Sequence, residues 1–365
     1  MDVSSADPIS QPSTSPIPLA AQVGGHAGVQ TTEDGSLLLK PALPVEIDFY
    51  QQLSSEPVLK RLKPWTCKFF GTLQLQGTVK EGTGEGAPLE ITPLDTASQD
   101  KESLVLENLT HGFIKPNILD IKLGTVLYDD AASPEKRARM ERTAKETTSA
   151  ETGIRLTGFQ VYSNYSPDPV ITPKAYGKSI KRSQLPEGIT RFFPVATEAA
   201  SLDSEHTQLG LPVHLLLPII VRIHQDIGRI KAAIEAIEIR LVGASLLIIY
   251  EGDRAKAEAG QEALKLSGAA ASESELEDTA EEEEIDIDDD EETDDDSEDE
   301  EEESAPLYQV KLIDFAHTRL VPGLQTDQGV MLGLQTTLEL LSKRIEEVRQ
   351  LAGNMEGTQK DRTEG

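Results

Sequence analysis

Three observations predict an α+β fold for this chain. Short apolar runs of strand length occur at residues 36–40 (SLLLK), 103–109 (SLVLENL), 246–250 (LLIIY) and 310–315 (VKLIDF). Two long stretches, 212–240 and 328–351, instead place apolar residues three and four apart, the period of a helix with one buried face. No segment repeats another, so a solenoid or propeller is not expected. A chain of 365 residues is long enough for one large domain or two lobes with a sizeable core.

Residues 1–19 are rich in Ser and Pro and read as a disordered tail. Residues 22–29 (QVGGHAGV) read as a Gly-rich turn between short strands, and Asp34-Gly35 as a hairpin turn before the strand at 36–40. Ile47, Tyr50 and Leu53 recur at helical spacing, which predicts a helix over 45–62. Residues 69–80 alternate like a strand, and 81–100 read as a loop rich in Gly, Thr and Asp. Strands at 103–109 and 116–124 follow, then a charged helix at 133–148, a short strand at 158–162 and a loop or short helix at 186–193. The long helix at 212–240 carries Ile220, Ile223, Ile227, Ile230, Ile234 and Ile237 as a stripe, which reads as a core face. Strands 246–250 and 310–315 read as a hairpin interrupted by an insert at 254–305. That insert is expected to be disordered, because it cannot bury enough apolar surface to offset its ordering entropy. Leu334, Leu338, Leu341, Ile345, Val348 and Leu351 define the last helix, and residues 351–365 read as a polar tail.

The formal charge of −30 has one main source. Residues 273–303 hold 23 of the 64 acids and no Lys or Arg, and without them the charge is −7. An anionic ligand is therefore not excluded by charge; the local field at a site decides that. The single Cys67 rules out an internal disulfide and a multi-cysteine zinc site. Residues 1–18 show neither a basic segment nor an apolar core of a secretory signal, and no apolar run is long enough to span a bilayer. The expectation is a monomer without direct nucleic-acid binding.

Chemistry concentrates at residues 116–124 (PNILDIKLG). In a strand, Asp120 and Lys122 project to the same side while Ile118, Leu119, Ile121 and Leu123 anchor it. Read alone, the two are either a surface ion pair or an acid and a cation set beside a polyanion. Lys40 ends an apolar strand and is either solvated or aimed at phosphates; the glycines before it match neither a Walker loop nor a protein-kinase loop. Asp314 follows an apolar run, where burial demands a partner such as Mg²⁺, unless it caps the next segment. Ser245 and His317 are further polar groups beside the apolar strands. Residues 134–145 (PEKRARMERTAK) are the densest basic patch, with Lys136, Arg137 and Lys145 among its cations: a solvated face, or a contact for several phosphates.

Three pieces occur in order: PNILDIKLG (116–124), GASLL (243–247) and LIDFAHT (312–318). Together with Lys40-Pro41, EIDFYQQL (46–53), LENLTHGFIKP (106–116) and TRFF (190–193), they resemble the inositol polyphosphate kinase family over residues 20–350, minus the acidic insert. The short segment 125–157 and the acidic tract are most similar to its multikinases, especially the fungal kind. The resemblance implies a two-lobed, kinase-like fold. A small N-lobe of antiparallel sheet plus helix would span 20–107 and an α+β C-lobe 108–350. It implies a kinase that uses ATP and Mg and phosphorylates inositol polyphosphates. Lys40 would contact ATP phosphates with Glu46 as its pairing partner, and Glu107 and Leu109 would offer hinge backbone to adenine. Asp120 would sit at the ribose and the reactive hydroxyl, and Lys122 would bridge the transferred phosphoryl group and substrate. Lys136, Arg137, Lys145, Lys178 and His317 would contact inositol phosphates, and Asp314, helped by Ser245, would bind Mg²⁺. Asn108 departs from the acidic residue expected at the hinge. The resemblance also implies basic, transcription-associated partners for 273–303, and a location in nucleus and cytoplasm.

Overall fold

The computed structural model describes residues 17–18, 28–74, 77–80, 90–93, 102–163, 166–196, 209–277 and 306–363. Most of the N-terminal tail, residues 22–27 of the Gly-rich turn expected at 22–29, and residues 278–303 of the acidic run at 273–303 lie outside them.

Two five-stranded antiparallel sheets organise the chain. The first runs in the order Ile17–Pro18, Gln30–Thr31, Leu37–Pro41, Glu102–Glu107, Phe69–Gln74. Its hairpin turns at Gly35, whose φ of +75° suits glycine. The helix Pro44–Ser55 follows this sheet and buries Phe49, Tyr50 and Leu53. It ends before the expected residue 62 because Pro57 holds Glu56 in an extended conformation, and short 3-10 turns follow. The expected strand at 69–80 divides: Phe69–Gln74 joins the first sheet, while Gly77–Lys80 pairs with Glu90–Pro93, inside the expected loop.

The second sheet runs Pro169–Thr172, Ile154–Tyr162, Pro116–Leu123, Ser245–Glu251, Tyr308–Ile313. Residues 108–115 join it to the first sheet. Leu119, Ile121 and Leu123 project from one face and are fully buried, as alternation requires. The long helices Val213–Glu235 and Gln328–Thr363 pack on each other and belong to the same apolar core. All six isoleucines of the predicted stripe are buried. The first of these helices stops short of the expected residue 240, and Ile239–Leu241 instead pairs with Thr318–Leu320.

Order extends beyond the expected boundaries in two places. Residues from Arg254 to Glu277, read as the start of the disordered insert, form a helix. They are rich in Ala, Leu, Lys and Glu, strong helix formers. The helix is also held by tertiary contact, since Ala257 is fully buried and Gln261 Nε2 donates to Leu215 O at 2.6 Å. The last helix likewise continues past Leu351 to Thr363, a stretch without proline that extends an existing nucleus. Deleting residues 256–303 is therefore expected to destabilise the protein by about 2–4 kcal/mol through lost packing and an orphaned carbonyl. Deleting 278–303 should leave the melting temperature unchanged. Thermal melts of the two deletions check this.

Candidate active site

Strand register assembles the site from distant parts of the sequence. In the second sheet Lys122 lies opposite Arg155 on one side and Ser245 on the other, and Ser245 lies opposite Ile313. The ladder slips beside Asp120, which pairs with Gly158 while Ile121 pairs with Leu156. Thr157 is the extra residue of this bulge, and its Oγ1 donates to Asp120 O at 2.9 Å. Gly158 takes the positive φ, +141°, that the bulge requires. The result is one face bearing Asp120, Lys122, Arg155 and Thr157. With Asp314, Lys174 and Lys178 they line a cavity of about 230 Å³.

Asp314 sits just beyond its strand with φ +66°, a conformation rare outside glycine. The residue after it accounts for the strain. Phe315 is fully buried and packs its ring at a tilt against Phe49 with centroids 4.4 Å apart, and its backbone N–H donates to Glu46 Oε1 at 3.1 Å. Lys40 Nζ then meets Glu46 Oε1 at 2.7 Å and Asp314 Oδ1 at 2.8 Å, while Lys122 Nζ lies 3.7 Å from Asp314 Oδ2. Acid and base alternate through this row, so the buried charges compensate one another. Burial alone would lower the Lys40 pKa, but the Asp314 and Glu46 carboxylates outweigh it and hold it above the ordinary value.

Asp120 is set apart from that row. Burial pushes its carboxyl above the usual carboxylate range; the Lys122 charge and the Thr157 hydroxyl oppose the shift, and Asp314 adds to it. Its Oδ1 is buried and without a partner. Ser245 Oγ, close enough to favour the ionised form, makes no hydrogen bond of good geometry and is also unpartnered. A third such atom is Arg155 Nη1. Buried polar groups are ordinarily satisfied, so orphans on two residues that line the cavity, Asp120 and Arg155, and on Ser245 opposite Lys122 point to a polar ligand.

Divalent metal fits these residues in one form. Among the described residues no group of three or more His, Cys, Asp or Glu can hold an ion. Asp314 and the unpartnered Ser245 hydroxyl would supply a partial shell completed by phosphate and water, as magnesium accepts.

Of the sequence-predicted residues, Lys40, Asp120, Lys122 and Asp314 come together, Glu46 joins them, and Lys178 lines the cavity. Lys136, Arg137 and Lys145 are not among the lining residues. They ride on the helix Pro134–Glu146, where Arg137 donates to Ala132 O and Asp130 O and covers the Tyr128 ring. The Arg137 guanidinium thus braces its own loop through Nε and Nη2. His317 is held by Asp129, with Nδ1 2.5 Å from Oδ2. At the hinge, the Asn108 side chain donates to Gly35 O and accepts from Thr110, so it secures the connection itself. Glu107 N is engaged with Lys68 O, whereas the Leu109 N–H has no partner among the described residues.

Arg155, Thr157 and Lys174 were missed. The predicted strand began at residue 158, whereas Ile154–Tyr162 is the element, and the bulge hides its alternation. Lys174 was open to detection, since it stands four residues from Lys178 at helical spacing. Both lie on the short helix Lys174–Ser179, which the chain presses against the neighbouring strand through Gly177. A Cβ there would stand 1.6 Å from Leu156 O.

Two outcomes follow from this geometry. Asp120→Asn removes a carboxylate whose folded-state pKa is raised, so wild-type stability falls as pH climbs from the ordinary carboxylate range through that raised value. The variant should melt higher at neutral pH, with the advantage shrinking in acid, and should lose turnover. Paired melts across pH test this. Gly177→Ala should displace the Lys174–Ser179 helix, cost about 1–3 kcal/mol, and raise KM for an anionic substrate more than it lowers kcat. Steady-state kinetics read that split.

Comparison with known proteins identifies the family. The family model described as inositol polyphosphate kinase matches residues 103–342. An inositol polyphosphate multikinase from Saccharomyces cerevisiae is 33% identical over 363 residues, covering 89% of this chain and 97% of that protein. Human inositol hexakisphosphate kinase 2 is 29% identical over 67% of this chain and 52% of its own length. The crystal structure of a Saccharomyces cerevisiae inositol phosphate multikinase, solved with ADP and Mn²⁺, superposes with a TM-score of 0.55 at 26% identity, over 85% of this chain and all of that one. The chain belongs to the inositol polyphosphate kinase family and is an inositol polyphosphate kinase.

Proposed function

We propose that this kinase is a multikinase that transfers the γ-phosphoryl group of ATP to successive hydroxyls of inositol 1,4,5-trisphosphate, giving tetrakis- and pentakisphosphates. One observation carries the reading: a cavity that gathers Lys122, Arg155, Lys174 and Lys178 around Asp120 and leaves buried polar atoms unpartnered. Four cations suit a ligand with several phosphates, and Arg155 adds a planar fork matched to phosphate. Lys174 and Lys178 are exposed, which leaves the cavity an open side for more than one ring orientation.

The chemistry assigned to each residue follows from its surroundings. An inositol oxygen forms a bond to the γ-phosphorus, the bond from that phosphorus to the β–γ bridging oxygen breaks, and ADP departs. The hydroxyl proton passes to Asp120, a carboxylate whose burial raises its basicity. Lys40 and Lys122 face the charge that develops on the equatorial oxygens. Asp314 and Ser245 would hold Mg²⁺, which when bound neutralises phosphate charge. The partly buried Leu247 and Ile313 share the sheet face of Ser245's neighbours and offer the nucleotide an apolar floor.

Incubation with Mg-ATP and inositol 1,4,5-trisphosphate, with products separated by ion exchange, tests the assignment. Tetrakis- and pentakisphosphate are expected, and Lys122→Met should lower kcat at least a hundredfold with the fold intact. Absence of both products, with turnover seen only when inositol hexakisphosphate is supplied as the acceptor instead, would overturn it. The density of acids in 273–303, which lacks Lys and Arg, supports a second, non-catalytic role in capturing basic, transcription-associated proteins, in keeping with a nuclear as well as cytoplasmic location.

A further inference from the structure

Residues 108–115 are the covalent link between the two sheets, and their position is set from the far end of the Ser245–Glu251 strand. Glu251 is fully buried there, yet no cation pairs with it among the described residues. Its carboxylate instead accepts three backbone N–H groups: Oε2 from Ile114 at 2.9 Å, and Oε1 from Lys115 at 2.9 Å and Asp253 at 2.8 Å. Two further bonds reinforce the same stretch. Gly252 N–H donates to Lys115 O at 2.8 Å, and Lys256 Nζ donates to Gly112 O at 2.5 Å. Gly252 leaves no room for adjustment, because a Cβ would stand 2.8 Å from Asn117 Nδ2 and 2.9 Å from Lys115 O.

We infer that Glu251 and Lys256 are positioning residues for the nucleotide, clamping the interlobe link so that its free backbone groups, the Leu109 N–H among them, stay aimed at the base. This rests on the kinase reading, in which adenine lies along residues 107–109. Both oxygens of Glu251 are engaged by N–H groups, so only an acceptor at both positions satisfies the link. Glu251→Gln keeps the size of the side chain but turns one acceptor into a donor facing an N–H. Lys256→Met removes a single half-buried ammonium at the start of the Arg254–Glu277 helix and leaves its stem in place.

The test is the affinity of the full chain for Mg-ADP by calorimetry, alongside KM for ATP and for inositol trisphosphate and the melting temperature. Glu251→Gln should weaken Mg-ADP about tenfold and Lys256→Met about threefold, as expected for lost charge-assisted hydrogen bonds to the link. KM for ATP should rise in parallel while KM for inositol trisphosphate stays unchanged. If Glu251→Gln fails to fold, Lys256→Met decides alone. A folded Lys256→Met variant with wild-type nucleotide affinity overturns the inference and leaves the kinase reading standing. Equal losses for both substrates would also overturn it, marking the two residues as general scaffold. If the wild type binds no Mg-ADP, the kinase reading falls and the clamp with it.

Discussion

The Lys40 ammonium is the contact on which the arrangement of the site depends. It comes from the first sheet, and it reaches one carboxylate on the following helix and another at the end of the second sheet. All three groups are largely removed from water. A buried charge without its counterpart costs several kcal/mol, so none of the three tolerates separation from the others. Phe315 adds the apolar half of the same joint, with its ring against Phe49 and its N–H on Glu46. Electrostatics and packing thus register the two sheets at one point, and that point is where phosphates are handled.

Around it the charges divide into two kinds. The inner row of Glu46, Lys40, Asp314 and Lys122 is balanced and compact. The outer cations, Arg155, Lys174 and Lys178, line the cavity, and the two lysines are exposed. A balanced row keeps its geometry without ligand, because each charge is already compensated. The outer cations give the cavity its appetite for anions. Asp120 lies between the two sets, and its environment favours proton uptake over pairing.

Much of this was legible in the sequence, for physical reasons that differ by residue. Asp120 and Lys122 alternate with Leu119, Ile121 and Leu123 on one strand, so their shared face follows from a period of two. Lys40 and Asp314 each close an apolar run, where a charge is conspicuous. Arg155 and Thr157 escaped because a bulge interrupts the pattern beside them, and bulges are a property of the pair of strands rather than of one. Basic density in the sequence also does not reveal that Arg137 donates to two carbonyls of its own loop. The helix Arg254–Glu277 replaced the start of an expected disordered insert, and Gln328–Thr363 outran its expected end, because composition does not report which polar segments are held by a packed neighbour or extend from a packed helix.

The hairpin formed by Ser245–Glu251 and Tyr308–Ile313 has a consequence for how the family's chains can vary. Its two strands are paired from Ser245↔Ile313 to Tyr250↔Tyr308, and Glu251 N–H closes the end on Leu307 O. The connection between them includes the packed helix Arg254–Glu277 and the acidic run, and the sheet pins both of its ends. The closure entropy of a flexible connection grows only with the logarithm of its length, about 0.6 kcal/mol for each doubling. Lengthening or shortening the acidic run is therefore nearly neutral for the fold, and selection can adjust its length and charge without disturbing the strand that carries Ser245 or the one that leads into Asp314.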